Sequence, residues 1–356
     1  MTDLILNDKY RDSAYYQIIL FTVILGKQAC HQSRSPYMAS FMKSFAFAPD
    51  VKLILLSDDK SCKYPNLPNN IIFVNFTWRD LTERVDIELK TNISHLYQGQ
   101  FHYKVCDFRP LIPFLYPELF REGNAYCETN RSCPVVRWMG WTDNDMWYSN
   151  DLFDFLIKLG KETTIQEWRP NEYIQTHSSW GPITVFEPKS YFQRIIPRLK
   201  ANLSLLMPML YNVSGSSYYD ERGQPEWGGL GYKYSFSYIL ELANISYKIG
   251  AHIGALLSDL DCIVRKTVLN PQPIRDSSRK TDPACGYCRM SVIENKIELY
   301  DYQNRSLLFC HHQFSKKFHK NIFSNANAIR WKHHTHALKN NKSILSSMNQ
   351  GIKIFS

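Results

Sequence analysis

The sequence contains no long hydrophobic segment. Its only apolar run near the N-terminus is Ile18–Leu25, which is eight residues long, whereas a membrane-spanning helix needs about 20 apolar residues. A secretory signal peptide would place basic residues before such a run and small residues after it. Here Tyr15-Tyr16-Gln17 precedes the run and Gly26-Lys27 follows it. We therefore expect a buried first strand and no transmembrane segment.

Internal repeats, low-complexity tracts and the signatures of helix-turn-helix, zinc-finger and RNA-binding motifs are also missing. The net charge of +9 over 356 residues would suit an anionic partner. Much of this charge lies near the C-terminus, in residues 316–320 and 330–334. A solvated basic tail explains it, and a diphosphate-binding edge is the alternative. We expect a basic C-terminal tail over residues 321–356. Without a recognition motif, we expect no nucleic-acid partner.

The cysteines leave two questions open. Their number, nine, is odd, so they cannot all pair within the chain. Cys127 and Cys133 bracket a short polar loop and could form a local disulfide. Cys285 and Cys288 form a single Cys-x-x-Cys pair, and a zinc site needs about four ligands. Cys310 and the histidines after it could complete such a site, so metal binding and pairing both stay open for Cys285 and Cys288.

Sequons of the form Asn-x-Ser/Thr occur eight times, where composition alone would give roughly three. Such an excess is typical of passage through a secretory lumen. The lack of a signal sequence or anchor instead slightly favours the cytosol, with the Golgi or secretory lumen as the alternative. The sequon asparagines are Asn75, Asn92, Asn130, Asn202, Asn212, Asn244, Asn304 and Asn341.

Strand-like and helical segments alternate along the chain. Gln17–Leu25 and Val51–Leu56 are apolar, and Pro36–Phe45 between them has apolar residues at helical spacing. This alternation predicts an α/β fold with a mostly parallel central sheet flanked by helices. We expect one domain over residues 15–320. Further strands are expected at Ile71–Val74, Val135–Trp141, Ile183–Phe186 and Ile297–Cys310, and helices over 76–120, from Asp151 and over 232–246.

Acidic residues follow two of the predicted strands. Asp58-Asp59 comes just after Val51–Leu56, and Asp143-Asn144-Asp145 follows Val135–Trp141. In an open α/β sheet, ligands bind beyond the carboxyl ends of the strands. Two carboxylates one residue apart can both face that crevice and hold Mn²⁺ or Mg²⁺, which prefer oxygen ligands. Alone, an Asp-x-Asp sequence is weak support, because solvated turns are rich in Asp and Asn.

Two longer motifs make a resemblance specific. Residues 103–110 read YKVCDFRP, and residues 138–151 read WMGWTDNDMWYSND. Together they resemble a family of GT-A-type glycosyltransferases with the hallmarks YKxCDF(K/R)P and, later, WGxxDxD. Weaker matches extend in the same order over roughly residues 15–320. The resemblance implies a GT-A fold, a Mn²⁺ or Mg²⁺ cofactor, a UDP- or GDP-sugar donor and a glycan or other hydroxyl acceptor.

The resemblance also implies roles for individual residues. Asp143 and Asp145 are expected to bind the metal, and His311 to reach the metal or the diphosphate. The residues expected to face the nucleotide-sugar are Tyr103, Lys104, Asp107 and Arg109, with Asp58 and Asp59 at the base or ribose.

Departures from the family pattern motivate a second hypothesis. Thr142 stands where the family often has a small residue or Cys, and Ser149-Asn150 replaces a Gly. The doubled His311-His312 leaves open which ring acts. The alternative function is therefore a catalytically silent carbohydrate- or nucleotide-binding protein on the same fold.

A reaction that inverts the sugar configuration needs a carboxylate base near the acceptor hydroxyl. Asp220, Glu221 and Glu226 lie in the Gly-rich segment 215–231 before a predicted helix. Glu226 is the first choice, because Trp227 could stack on the acceptor. A retaining reaction would need no such base, and the sequence does not decide between the two outcomes, nor does it name the donor sugar or the acceptor.

Overall fold

The computed structural model of the chain describes residues 16–26, 30, 38–63, 67–97, 104–120, 136–159, 172–175, 183–213, 215–221, 223, 229–249, 288–300, 306–307, 309–311, 343–346 and 354–355.

A seven-stranded sheet with the order β3-β2-β1-β4-β7-β6-β8 forms the centre of the described chain. Six of its strands run in one direction, and β7 runs antiparallel to both of its neighbours. The predicted α/β class with a mostly parallel sheet is thus confirmed. The strands are β1 Ile18–Ile24, β2 Val51–Ser57, β3 Ile71–Asn75, β4 Trp138–Thr142, β6 Tyr173–Gln175, β7 Ile183–Phe186 and β8 Tyr247–Ile249.

The sheet is buried on both faces, which explains why its strands read as continuous apolar runs. Successive side chains of β1 alternate between two hydrophobic cores: Ile18 and Leu20 enter one, and Ile19 and Phe21 enter the other. The first core also contains Phe41 from the helix after β1. The packing therefore has three layers, with the sheet in the middle.

The described α-helices lie mostly where the pattern predicts them, but two are shorter than expected. The helix predicted from Phe108 to Leu119 is broken into short turns, because Pro113 and Pro117 lack the amide proton that a continuous helix needs. The α-helices are Met38–Ala46, Trp78–Leu89, Val105–Phe108, Ile112–Leu115, Pro117–Phe120, Asn150–Leu159, Pro188–Ser190, Ile196–Ala201, Leu203–Tyr211 and Phe236–Leu242.

The helix predicted over 232–246 ends at Leu242 and is followed by β8. Asn244 adopts a left-handed backbone conformation with a φ of 52°, which ends a helix. Single turns of 3₁₀-helix occur at Lys60–Cys62, Ser94–Leu96, Arg109–Leu111, Tyr219–Glu221 and Tyr232–Tyr234, and a π-helical turn at Tyr191–Ile195.

Two smaller sheets accompany the central one. β5 (Met146–Tyr148) pairs antiparallel with β12 (Phe309–His311). A five-stranded sheet has the order β11-β10-β9-β13-β14. Part of the segment predicted as a tail from residue 321 thus pairs with β9. Its strands are β9 Cys288–Ile293, β10 Lys296–Tyr300, β11 Ser306–Leu307, β13 Ser343–Ser346 and β14 Ile354–Phe355.

One disulfide is present in the described chain, between Cys30 and Cys62. It joins the segment after β1 to the 3₁₀ turn after β2. Cys127, Cys133 and Cys285 lie outside the described residues, as does the side chain of Cys288. Among the helices that the structure describes, none is both long and apolar enough to cross a membrane.

Candidate functional site

The candidate site lies where the strand order reverses. The chain passes from β1 outwards to β2 and β3, and then returns to place β4 on the other side of β1. The carboxyl ends of β1 and β4 therefore border the crevice in which open α/β sheets bind ligands. At this edge the Gly26 amide donates a 2.8 Å hydrogen bond to Asp58 Oδ1, which ties the end of β1 to the residue after β2.

The acidic turn 143–145 connects β4 to β5 at this crevice. Thr142 Oγ1 donates a 3.0 Å hydrogen bond to the Asp143 carbonyl and shares a short one with the Tyr148 hydroxyl. Burial raises the pKa of Tyr148 well above its usual value. The hydroxyl of Thr142, one of the departures from the family pattern, thus anchors the turn. Asp143 keeps 25% of its side chain exposed, whereas Asp145 is buried.

Arg109 connects this turn to a distant loop. Its Nη1 donates to Asp143 Oδ1, and its Nε donates to Asp220 Oδ2 at 2.7 Å. The guanidinium carbon lies 5.7 Å from the centroid of the Trp141 ring. The guanidinium is a rigid fork with five donors, so one buried side chain can hold both carboxylates in a fixed relation.

Asp220 is buried, and its carboxyl group is strongly perturbed. Among the described residues its Oδ1 has no hydrogen-bond partner. Burial raises the pKa of Asp220 to about 7, against the opposing effect of Arg109 and with a further contribution from Asp107. A group with a pKa near neutral pH is suited to exchanging protons under physiological conditions.

Lys104 and Asp107 form a buried ion pair rather than part of an exposed binding surface. Lys104 Nζ lies 2.8 Å from Asp107 Oδ2 and donates to the Met209 carbonyl at 2.6 Å. Asp107 accepts hydrogen bonds from the amides of Ser217, at 2.6 Å, and Tyr219, at 2.9 Å. Both charged side chains are fully buried. Their geometry fixes the segment that carries Asp220, and neither side chain is positioned for direct contact with a nucleotide.

β12 brings His311 beside the acidic turn. The backbone of His311 pairs with Met146, the residue that follows Asp145. The backbones of the three residues expected to bind metal thus lie close together in the folded chain, although Asp145 and His311 are 166 positions apart in the sequence. The side chain of His311 lies outside the described part of the structure.

The acidic turn carries the type of ligand that a divalent cation prefers. Carboxylate oxygens suit Mn²⁺ and Mg²⁺, which commonly keep positions for water or substrate phosphates. Among the described side chains, no three His, Cys, Asp or Glu residues form a group that could hold a metal ion. If the turn held a metal ion, Asp143 and Asp145 would supply two ligands, and the remaining positions would fall to His311, water or substrate.

The other residues predicted at the site are less well defined. Asp59 accepts two 2.8 Å hydrogen bonds from Ser61 and caps the 3₁₀ turn after β2. The backbone of Glu221 belongs to the same turn as Asp220, but its side chain is not described. Tyr103 and Glu226 lie outside the described residues.

Ser216 and Ser217 contact the Lys104–Asp107 ion pair, a role that the sequence did not indicate. Ser216 Oγ donates to Asp107 Oδ1 at 3.1 Å, and Lys104 Nζ lies 3.3 Å from Ser217 Oγ. Small polar residues after Gly215 are typical of a turn, which is the only local signal. Their pairing with residues more than 100 positions earlier carries no local signal at all.

Comparison with known proteins gives one partial match. A family described as being of unknown function (DUF6625) matches residues 33–151, a range that contains Lys104, Arg109 and the acidic turn. No curated protein and no solved structure matches the chain.

Proposed function

We propose that the protein is a metal-dependent glycosyltransferase of the GT-A type, which transfers a sugar from a nucleotide-diphosphate donor to a glycan or other hydroxyl acceptor. The observation that carries the proposal is the position of Asp143 and Asp145 at the carboxyl end of β4, beside the reversal in strand order. The resemblance of residues 103–110 and 138–151 to GT-A enzymes supports the same function.

The charges around the turn suit a diphosphate leaving group. Asp143, Asp145 and His311 would hold Mn²⁺ or Mg²⁺, which supplies Lewis-acid stabilisation of the diphosphate. Arg109 adds a positive charge next to Asp143, which favours an anionic group beside the turn. Asp58, exposed at the end of β2, is available to the ribose or base.

Asp220 would act by orienting Arg109, and the Lys104–Asp107 pair would act by holding the segment that carries Asp220. Asp220 keeps the guanidinium oriented through its Nε hydrogen bond, and Asp107 fixes the backbone on either side of Tyr218. Holding groups in place before the donor arrives lowers the cost of reorganisation during the reaction.

If the reaction inverts configuration, the general base would be Glu226, with Glu221 and Asp220 as the other candidates.

A donor screen tests the proposal. The purified chain with Mn²⁺ and a panel of UDP- and GDP-sugars should release the free nucleoside diphosphate. Asp143→Asn and Asp145→Asn should abolish the release while the protein stays folded. Asp154→Asn, on the exposed side of the helix Asn150–Leu159, is the matched control and should keep full activity. Release that persists in both turn variants would refute the metal site.

The alternative, a silent binding protein, is favoured by one observation: Arg109 already neutralises Asp143. A cation in that position competes with a metal ion for the same carboxylate. Calorimetry with UDP and GDP, with and without Mn²⁺, separates the two functions. Nucleotide binding without turnover of any donor, at saturating Mn²⁺ and with acceptor glycans present, would support the silent protein.

A further inference from the structure

The disulfide between Cys30 and Cys62 bears on the compartment in which the chain matures. Both cysteines are buried, and 32 residues separate them. Disulfides persist in the secretory pathway and outside the cell, and they are rare in the reducing cytosol. A buried bridge at the edge of the central sheet is therefore typical of a protein that folds in an oxidising lumen.

The sequons supply a second, independent observation. Three of the described sequon asparagines, Asn75, Asn92 and Asn244, are exposed. Each stands beside at least one buried apolar residue: Phe76, Ile93 or Ile245. The chain is thus anchored next to each asparagine while the asparagine itself points to solvent, where an attached oligosaccharide would not disturb the core.

Asn92 illustrates this arrangement best. Asp86 accepts hydrogen bonds from Thr91 Oγ1 at 2.7 Å, from the Ile93 amide at 2.6 Å and from the Ser94 amide at 2.9 Å. These bonds hold the turn around Asn92 on both sides. They leave the asparagine itself exposed.

Asn244 occupies an equally fixed exposed position. Its amide donates to the Glu241 carbonyl at 2.8 Å, and the next amide, of Ile245, donates to the Leu240 carbonyl at 3.0 Å. The left-handed backbone at Asn244 turns the chain from the helix Phe236–Leu242 into β8. The residue is exposed.

Asn212 offers a natural contrast within the same chain. Its Nδ2 donates a 3.0 Å hydrogen bond to Ser217 Oγ, and the side chain is only partly exposed. Ser217 belongs to the segment that Asp107 holds in place. A large substituent on Asn212 would therefore displace the segment that carries Asp220.

We propose that the chain matures in an oxidising secretory lumen and carries N-linked glycans on Asn75, Asn92 and Asn244, with Asn212 unmodified in the folded protein. The co-substrate is a lipid-linked oligosaccharide diphosphate. The amide nitrogen of Asn forms a bond to the anomeric carbon and loses one proton, while the bond from that carbon to the diphosphate oxygen breaks. This inference is independent of the transferase proposal.

The first test uses the full chain purified from its native cells. Treatment with peptide N-glycosidase should increase its electrophoretic mobility and convert Asn75, Asn92 and Asn244 to Asp, detectable by peptide mass spectrometry. Peptides containing Cys30 and Cys62 should be linked until a reductant is added. Unchanged mobility with unmodified asparagines, or alkylation of both cysteines before reduction, would overturn the inference.

The second test assigns the sites. The full chain is directed into the secretory pathway of insect cells, and the variants Asn75→Gln, Asn92→Gln and Asn244→Gln are compared with Asn212→Gln. Each of the first three should remove one step of the glycosidase-sensitive mobility shift, and the triple variant should remove all three steps. Asn212→Gln should leave the shift unchanged. A full shift in the triple variant, or loss of a step in Asn212→Gln, would refute the assignment of sites.

Discussion

Arg109 lies between Asp143 and Asp220 and donates hydrogen bonds to both, so that it joins the partly exposed acidic turn to a fully buried carboxylate. Removing one partner of a buried pair leaves an uncompensated charge, which typically costs about 3–5 kcal/mol. We expect Arg109→Met to lower the free energy of unfolding by an amount of that order. Urea unfolding of both proteins at one fixed pH measures the loss.

The double variant Arg109→Met with Asp220→Asn provides the control for that experiment. Because the second change removes the buried charge, the double variant should be more stable than Arg109→Met alone. A double-mutant cycle isolates this coupling between the two side chains. Strictly additive effects would show that the pair does not contribute to stability.

Asp220 should also make stability depend on pH. Burial raises its pKa in the folded protein to about 7, from an ordinary value of 3.8. Between these values the folded protein keeps a proton that the unfolded chain releases, so the contribution of this group is fully present below about pH 4 and falls as the pH rises towards 7. We expect the unfolding free energy of the wild type, minus that of Asp220→Asn, to decrease as the pH rises over this range. A difference that stays constant from pH 4.5 to 7.5 would contradict the raised pKa.

Five of the seven strands of the central sheet, β1, β2, β3, β4 and β7, were predicted from the sequence, because they are apolar runs buried on both faces. Runs such as Ile18–Leu25 have no polar alternation, and observed boundaries such as Ile18–Ile24 and Val51–Ser57 lie within two residues of those predicted. The acidic turn was predictable as well, because a cluster of carboxylates directly after an apolar strand can be recognised from the local sequence alone. The strands β9, β13 and β14 were missed, as were β6 and β8 of the central sheet. β13 pairs with β9, which lies far away in the sequence, and local patterning carries no signal of such a pairing. β9 itself pairs with β10 across the turn Glu294-Asn295.

The connections behind the site were not predictable in the same way. The motif at residues 103–110 suggested that Lys104, Asp107 and Arg109 face a ligand together. In the folded chain only Arg109 reaches the acidic turn, while Lys104 and Asp107 hold the segment 216–219. Nothing in local spacing distinguishes a buried structural ion pair from an exposed binding pair, because the difference lies in residues more than 100 positions away.

Gly140 should tolerate no side chain. A Cβ atom at this position would lie 1.9 Å from the Thr184 carbonyl oxygen in the neighbouring strand β7. Backbone atoms of a central strand cannot move aside cheaply, so we expect Gly140→Ala to cost more than the usual 1–3 kcal/mol of an overpacked core. Thermal unfolding and the yield of soluble protein measure the effect. Gly215→Ala is the matched control, since nothing lies within 4 Å of its added methyl group. Equal stability of the two variants would disprove the close approach.

The Cys30–Cys62 bridge closes a loop with a sequence separation of 32 residues. In the chain-entropy account, a loop of that length stabilises the folded state by about 3–4 kcal/mol. We expect Cys30→Ser with Cys62→Ser to unfold at correspondingly lower urea concentration than the wild type. A reductant should destabilise the wild type more than the double variant. Equal unfolding midpoints for wild type and double variant would mean that the bridge contributes nothing.

Metal binding at the acidic turn should stabilise the fold independently of any reaction. A ligand that binds only the folded state stabilises it by about 2.7 kcal/mol at a concentration of 100 times its Kd. We expect Mn²⁺ to raise the unfolding temperature of the wild type and of Asp154→Asn, and a chelator to reverse the increase. Asp143→Asn and Asp145→Asn should lose it, because each removes a carboxylate that the cation needs. Since Arg109 competes for Asp143, the stabilisation should require higher Mn²⁺ concentrations than an unopposed carboxylate pair would. An equal temperature increase in all four proteins would locate metal binding elsewhere in the chain.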